Sequence, residues 1–171
     1  FNTSTGTSVG SAPPAVPYRT MTVEEIAGLP VSDLAERNAH LYLWTTNAFL
    51  ETAYDIARAW GFKPSTLLTW CKAPMGIGFG GTFVSTTEFI LFARRGTLKA
   101  LRRWDRSHFD WKRPYEGSSQ AHSRKPESFQ DLVEITSPGP YLELFARRQR
   151  LNWHTWGNEA LNHLPGSWLG R

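Results

Sequence analysis

Residues 40–61 join an alternating run to an amphipathic one with almost no loop between them, and this limits the possible folds more than any other stretch. Residues 40–46 (HLYLWTT) alternate and are rich in aromatics, the period-two pattern of a strand. Residues 47–60 follow with Phe49, Leu50, Ala53, Ile56, Ala57 and Trp60 at helical spacing, and Gly61 stands where a left-handed cap is expected. Residues 65–70 and 87–93 (TEFILFA) read as two further strands of mostly buried type. A second helix opens at Pro126, carries Phe129, Leu132 and Val133, and closes at Ser137-Pro138-Gly139; residues 141–146 then make the last strand. The order strand, helix, strand, strand, helix, strand predicts a three-layer α/β domain with a mostly parallel sheet, probed by ligands at the carboxyl ends of its strands.

At 171 residues and 40% hydrophobic, the chain can bury one proper core. Residues 1–17, rich in Ser, Thr, Gly and Pro without periodicity, read as a flexible loop or linker; residues 18–159 form the domain and 160–171 a tail. Thr22 with Glu25 forms a capping-box pattern for a short helix that should stop near Pro30. Residues 72–85 contain a glycine-rich run without the spacing of a phosphate loop, and a mobile loop over a site is expected there.

Several chemistries are disfavoured. A single cysteine, Cys71, excludes an intramolecular disulfide and argues for a reducing compartment, so a cytoplasmic location is expected. No apolar run approaches the roughly 18 residues of a membrane span, and no signal-peptide pattern is present. The five histidines lack the HExxH spacing, and no GxSxG elbow occurs.

A formal charge of +4 and a pI near 9.5 suit a polyanionic partner, and a mildly basic protein without one fits the same numbers. The basic residues Arg102, Arg103, Arg106, Lys112 and Arg113 interleave with Trp104, Trp111 and Tyr115, a pattern for phosphate contact with base stacking. An exposed connection with a few aromatics packed down reads equally from the same residues. Lys125 stands at a helix start, where the helix dipole disfavours a cation unless an anion is also present. A bound carboxylate or phosphate would explain it; a lysine turned to solvent is the alternative. Glu143 and Glu159 suit either structural ion pairs with Lys125 or Arg147, or the diol of a ribose.

Tyr18-Arg19-Thr20-Met21 followed by TVEEI, then LYLWTT, TEFILFARRG, HSRKPE, SPGP, ELFARR and NWHTWGNE occur in order over most of the chain. Together these blocks resemble the MT-A family of adenine methyltransferases. The resemblance implies a Rossmann-like methyltransferase fold, S-adenosylmethionine as cofactor, and methyl transfer to the exocyclic amino group of adenine in nucleic acid. By matching positions it places Tyr18, Trp44 and Glu88 around the target adenine and Lys125 at the cofactor's amino-acid end. It places Arg147, Asn158 and Glu159 around ribose and adenine, supported by a strand made by Glu143, Leu144 and Phe145. The short loop at Arg148-Gln149-Arg150 resembles bacterial and phage members, which makes DNA the expected nucleic acid rather than RNA.

An aromatic amino group attacks a methyl sulfonium poorly unless acceptors bind its hydrogens. The family supplies acceptors with an Asp-Pro-Pro-Trp motif, which does not occur here. The chain begins at Phe1 rather than Met, so it is expected to start just past that motif, with an upstream strand missing. Two expectations follow: the isolated chain lacks methyl transfer, and its sheet exposes an edge or gap. A non-catalytic nucleic-acid-binding partner subunit is the alternative reading.

Overall fold

The computed structural model describes residues 20–72, 82–112, 114, 124–157 and 160. Within them run α1 (Val23–Ala27), α2 (Val31–Leu34), β1 (Ala39–Thr45), a 3-10 turn (Asn47–Phe49), α3 (Leu50–Ala59), β2 (Lys63–Cys71) and β3 (Thr87–Arg95). These are followed by β4 (His108–Phe109), α4 (Glu127–Thr136), β5 (Tyr141–Leu144) and β6 (Trp153–Trp156).

Local chemistry explains the helix ends. The Thr22 hydroxyl accepts from the Glu25 amide at 3.1 Å while the Glu25 carboxylate accepts from the Thr22 amide at 2.7 Å, the capping box expected for α1. Beyond α3 the Gly61 amide donates to the Arg58 carbonyl and the Phe62 amide to the Ala57 carbonyl, both at 2.9 Å. This double bond pattern needs a left-handed residue, and Gly61 has φ +80°.

The sheet differs from the expected parallel arrangement. Its order is β1-β3-β2-β4, and β3 runs antiparallel to both β1 and β2. Only the two-residue β4 joins this sheet in parallel, against Thr69 and Trp70, while β5 and β6 form a separate parallel pair. β2 and β3 follow each other in the chain and pair directly. An antiparallel pair can be closed by a simple reversal, whereas a parallel one needs a crossover of a dozen or more residues, usually helical. No helix separates β2 from β3 among the described residues. The four-residue α2 and the short strands β4 and β6 were not anticipated from the sequence, and the strand expected at 141–146 stops at Leu144 and is followed by β6. The proposed linker at 1–17, the tail beyond residue 160 and most of the glycine-rich run, residues 73–81, lie outside the described residues.

The register sorts side chains onto two faces, since paired residues share a side. Leu91 and Ala93 pack with Ala53, Ile56, Ala57 and Trp60 of the α3 side, together with Val31, Leu41 and Leu43. On the opposite face Tyr42 and Trp44 meet Phe129 of α4, edge to face, with ring centroids 6.0 and 4.9 Å apart. A mixed sheet thus lies between two helical layers. Ile90 to Ala93 are buried in succession because β3 is central and covered on both sides.

Ser137, at the end of α4, closes this second layer. Its hydroxyl lies 2.7 Å from His40 Nδ1 and 2.8 Å from the Tyr42 hydroxyl, and the residue is buried. Ser137→Ala leaves two half-buried polar groups short of a partner, and a loss of about 1–3 kcal/mol in urea unfolding is expected.

Candidate active site

Trp44, Glu88 and Lys125, which the resemblance placed in a site, meet at one end of the sheet beside Trp70. Trp70 pairs with Glu88 across β2 and β3, and Trp44 with Ile90 across β1 and β3, so Trp44, Glu88 and Trp70 share the α4 face. The Trp44 and Trp70 rings stand edge to face at 5.8 Å. The Trp70 indole donates to the Trp111 carbonyl at 2.8 Å, which fixes the ring.

Glu88 is bonded by two lysines. Lys72 Nζ donates to one carboxylate oxygen at 3.1 Å, and Lys125 Nζ donates to the other. Lys125 also lies 4.9 Å from the centroid of the Trp44 ring, a cation–π distance. Burial alone would raise the Glu88 carboxyl, but the two ammonium groups more than offset it and hold it below the usual carboxylate range. Glu88 is therefore the anion that Lys125 calls for at the start of α4; a bound carboxylate or phosphate is not required to explain that lysine.

A second polar cluster joins α4 to the far strands. Gln130 is buried; its amide nitrogen donates to Glu143 at 2.6 Å, and its amide oxygen accepts from Arg148 Nη2 at 2.6 Å. Burial pushes the Glu143 carboxyl up, against the opposing effect of this hydrogen bond and of Arg148 and Arg150. Arg148 pairs with Glu127 at 2.8 Å, and Arg150 with Glu134 and Asp131, each at 2.7 Å. Glu143 is thus tied to α4 through Gln130. Phe145, next in the chain, has φ +60° and is 47% exposed, with its ring 5.6 Å from that of Trp156. The two strand ends approach closely: the Ala146 amide donates to the Trp156 carbonyl at 2.9 Å, and a Cβ on Gly157 would lie 2.2 Å from the Ala146 carbonyl oxygen. Only glycine fits that position.

The basic stretch forms its own surface. Arg102, Arg103 and Arg106 line an open hollow of about 400 Å³ with Trp104, Asp105 and Phe109. The Arg102 guanidinium sits 4.3 Å from the Trp104 ring centroid, the Trp104 indole donates to Thr136 at 2.8 Å, and Arg106 pairs with Asp105 at 3.1 Å. Lys112 is exposed and lies outside the lining of this hollow.

Trp44, Glu88 and Lys125 are therefore brought together, whereas Glu143 and Phe145 belong to the β5 end and the side chain of Leu144 packs against the apolar core. Arg147 is half-buried in the turn after β5. Tyr18, Arg113, Asn158 and Glu159 lie outside the described residues. Lys72 and Gln130 were missed. An antiparallel pairing of β2 with β3 would have exposed Lys72, since it sets the end of one strand beside the start of the other. Gln130 had no local signal; a buried glutamine on a helix is recognised only by what it touches. No cluster of His, Cys, Asp and Glu suited to a metal ion occurs, and no helix is long and apolar enough to cross a membrane, among the described residues.

Comparison with known proteins agrees with the residue blocks. The chain is 28% identical over 144 residues to the type II methyltransferase M.MunI of a Mycoplasma species, covering 83% of this chain and 59% of that protein. It is 28% identical over 161 residues to the human N(6)-adenine-specific methyltransferase METTL4, covering 84% and 33%. It is 27% identical over 159 residues to the N6-methyladenosine RNA methyltransferase MTA1 of Cryphonectria parasitica, covering 85% and 45%. The chain thus spans between a third and three-fifths of the length of these relatives. The MT-A70 family model matches residues 6–159, and with that span covered in register the chain belongs to the MT-A70 family.

Proposed function

We propose that this chain carries the cofactor and base site of an S-adenosylmethionine-dependent methyltransferase acting on the exocyclic amino group of adenine in nucleic acid, DNA rather than RNA. The observation that carries this reading is the meeting of Trp44, Glu88 and Lys125 at one end of the sheet, inside a chain matched by the family over nearly its whole length.

The donor set fits such a cofactor. Lys125 offers an ammonium to a carboxylate, and at the β5 end the exposed Phe145 ring backed by Trp156 offers an aromatic plane and Glu143 a half-buried carboxylate. Arg147, Asn158 and Glu159, which follow β5 and β6 in the chain, complete the set by position. Bound there, the cofactor supplies an electrophilic methyl carried on a sulfonium. The chain's own residues then handle the acceptor. Trp44 presents a ring against which a base can stack, the family resemblance assigns Tyr18 to the same base, and Glu88 presents a carboxylate able to accept a hydrogen from an amino group. A duplex target would have to release its base from the stack to reach this end of the sheet.

The hollow lined by Arg102, Arg103 and Arg106, with Lys112 and Arg113 further along the sequence, serves the phosphate backbone in this reading. It also favours a second reading, because a stack of guanidinium on indole can hold nucleic acid with no chemistry at all: a non-catalytic binding subunit. In a chain extended upstream to an Asp-Pro-Pro-Trp strand, transfer of a labelled methyl from S-adenosylmethionine to an adenine-containing oligonucleotide separates the two, since the binding subunit would retain the oligonucleotide and transfer nothing.

Calorimetry with S-adenosylmethionine tests the cofactor site. Lys125→Ala removes a charge-assisted bond of about 1.5–3 kcal/mol, so a loss of roughly ten- to a hundredfold in affinity is expected, and a larger loss when Asn158→Ala is added. Unchanged affinity in the double variant would remove both residues from the site. For the hollow, replacing Arg102, Arg103 and Arg106 together by Ala should lower the salt slope of nucleic-acid binding by up to about 3. An unchanged slope would return this stretch to a plain exposed connection.

A further inference from the structure

The carboxylate of Glu88 has two ammonium partners that are not equivalent. Lys72 follows directly on β2, its amide donates to the Thr86 carbonyl at 2.7 Å, and its side chain is 16% exposed. Lys125 precedes α4, its side chain is 34% exposed, and it has a second favourable neighbour in the Trp44 ring. Lys72 is therefore the fixed partner and Lys125 the exchangeable one. An anionic ligand arriving at this end of the sheet reaches Lys125 first.

We infer that Lys72 is a positioning residue that keeps Glu88 ionised when Lys125 turns to the carboxylate of a bound ligand, so that the site retains a hydrogen-bond acceptor while its second lysine is engaged elsewhere. The inference rests on the proposed role of Lys125 toward the cofactor's amino-acid end. Physically, moving one ammonium away leaves a half-buried carboxylate for which desolvation is the largest single influence. With Lys72 in place the carboxylate keeps a bond at 3.1 Å and its charge stays compensated. Without Lys72 the same departure would strand a buried anion, which relieves itself by taking a proton from solvent and becoming a donor. Among the described residues, the charged groups acting on Glu88 are these two lysines, one from the end of β2 and one from the segment ahead of α4; β1 contributes the uncharged indole of Trp44.

Two measurements on the whole chain test this. The first titrates the Glu88 side-chain carboxyl by carbon-13 NMR, assigned by its loss in Glu88→Gln, in Lys125→Met and in Lys72→Met/Lys125→Met. The expected result is a midpoint no higher than that of an ordinary glutamate in the single variant and clearly above it in the double. Equal midpoints in the two variants would overturn the role of Lys72 whether or not any cofactor binds. The second follows S-adenosylmethionine binding near pH 6 by calorimetry in buffers of different ionisation enthalpy. Wild type and Lys72→Arg should bind without taking up a proton at Glu88, whereas Lys72→Met should take up a fraction of a proton that disappears in Lys72→Met/Glu88→Gln. Binding by Lys72→Met with the proton count of wild type would also overturn the inference. If wild type does not bind S-adenosylmethionine, the cofactor reading fails, and the carboxyl titration alone decides what Lys72 does.

Discussion

The antiparallel register of β2 on β3 sets Trp70 opposite Glu88, and the remaining contacts of the site follow from that pairing. It puts Lys72, one residue past the end of β2, within bonding distance of a carboxylate one residue into β3. The partnership of β3 with β1 adds Trp44 to the same face. A one-residue slip in either ladder would send Glu88 to the α3 side, among Leu91, Ala93 and Ala57, where a carboxylate has no partner. The apolar core thus protects the register, and the register in turn fixes the polar end.

That end is expensive to maintain. A largely buried carboxylate beside two tryptophans is stabilised only because ammonium groups reach both of its oxygens. The cost on Lys125 is similar in kind, since it stands ahead of α4, where the helix dipole repels a cation. Glu88 and the face of Trp44 offset that repulsion together. Each group is held in a state it would not keep alone, which is common where a protein prepares a site for a charged ligand and uncommon where a surface ion pair only decorates a sheet edge.

Much of this was legible in residues close together in sequence. The Thr22 and Glu25 capping box, the amphipathic run of α3 and the glycine that ends it are encoded within a few positions, and they appear as read except that residues 47–49 form a 3-10 turn and leave Phe49 exposed. The blocks around Trp44, Glu88 and Lys125, far apart in the chain, are brought to one end of the sheet. Pairing was not legible. A buried strand such as TEFILFA has the same composition whether its neighbours run parallel or antiparallel, because burial on both faces removes the alternation that would distinguish them. Expecting parallel strands placed the site at strand ends only. In fact the start of β3 borders it, and Lys72 went unseen because only the pairing of β2 with β3 sets it beside Glu88. The strand WHTW of β6 was hidden by its length, and β4, at two residues, lies below what any pattern can report.

α4 connects the two halves of this arrangement. Phe129 packs into the aromatic face between Tyr42 and Trp44, while Glu127, Gln130, Asp131 and Glu134 bind Arg148, Arg150 and Glu143 on the other side. One helix therefore sets the position of Lys125 just before its first residue and of Glu143 beside its second turn. β1 pairs with β3 and β5 with β6, and no ladder joins the two sheets among the described residues, so their relation is carried by α4 and by the contact of Leu144 with the core. Gln130 is the hinge of that relation, because its amide satisfies an arginine and a carboxylate at once and can do so in only one orientation. A leucine there would fill the same volume and leave Glu143, already raised by burial, with no donor from the helix. The polar side of α4 is thus as necessary to the geometry as its aromatic side. The aromatic side sets where the helix lies, and the polar side sets which part of the β5 end faces it.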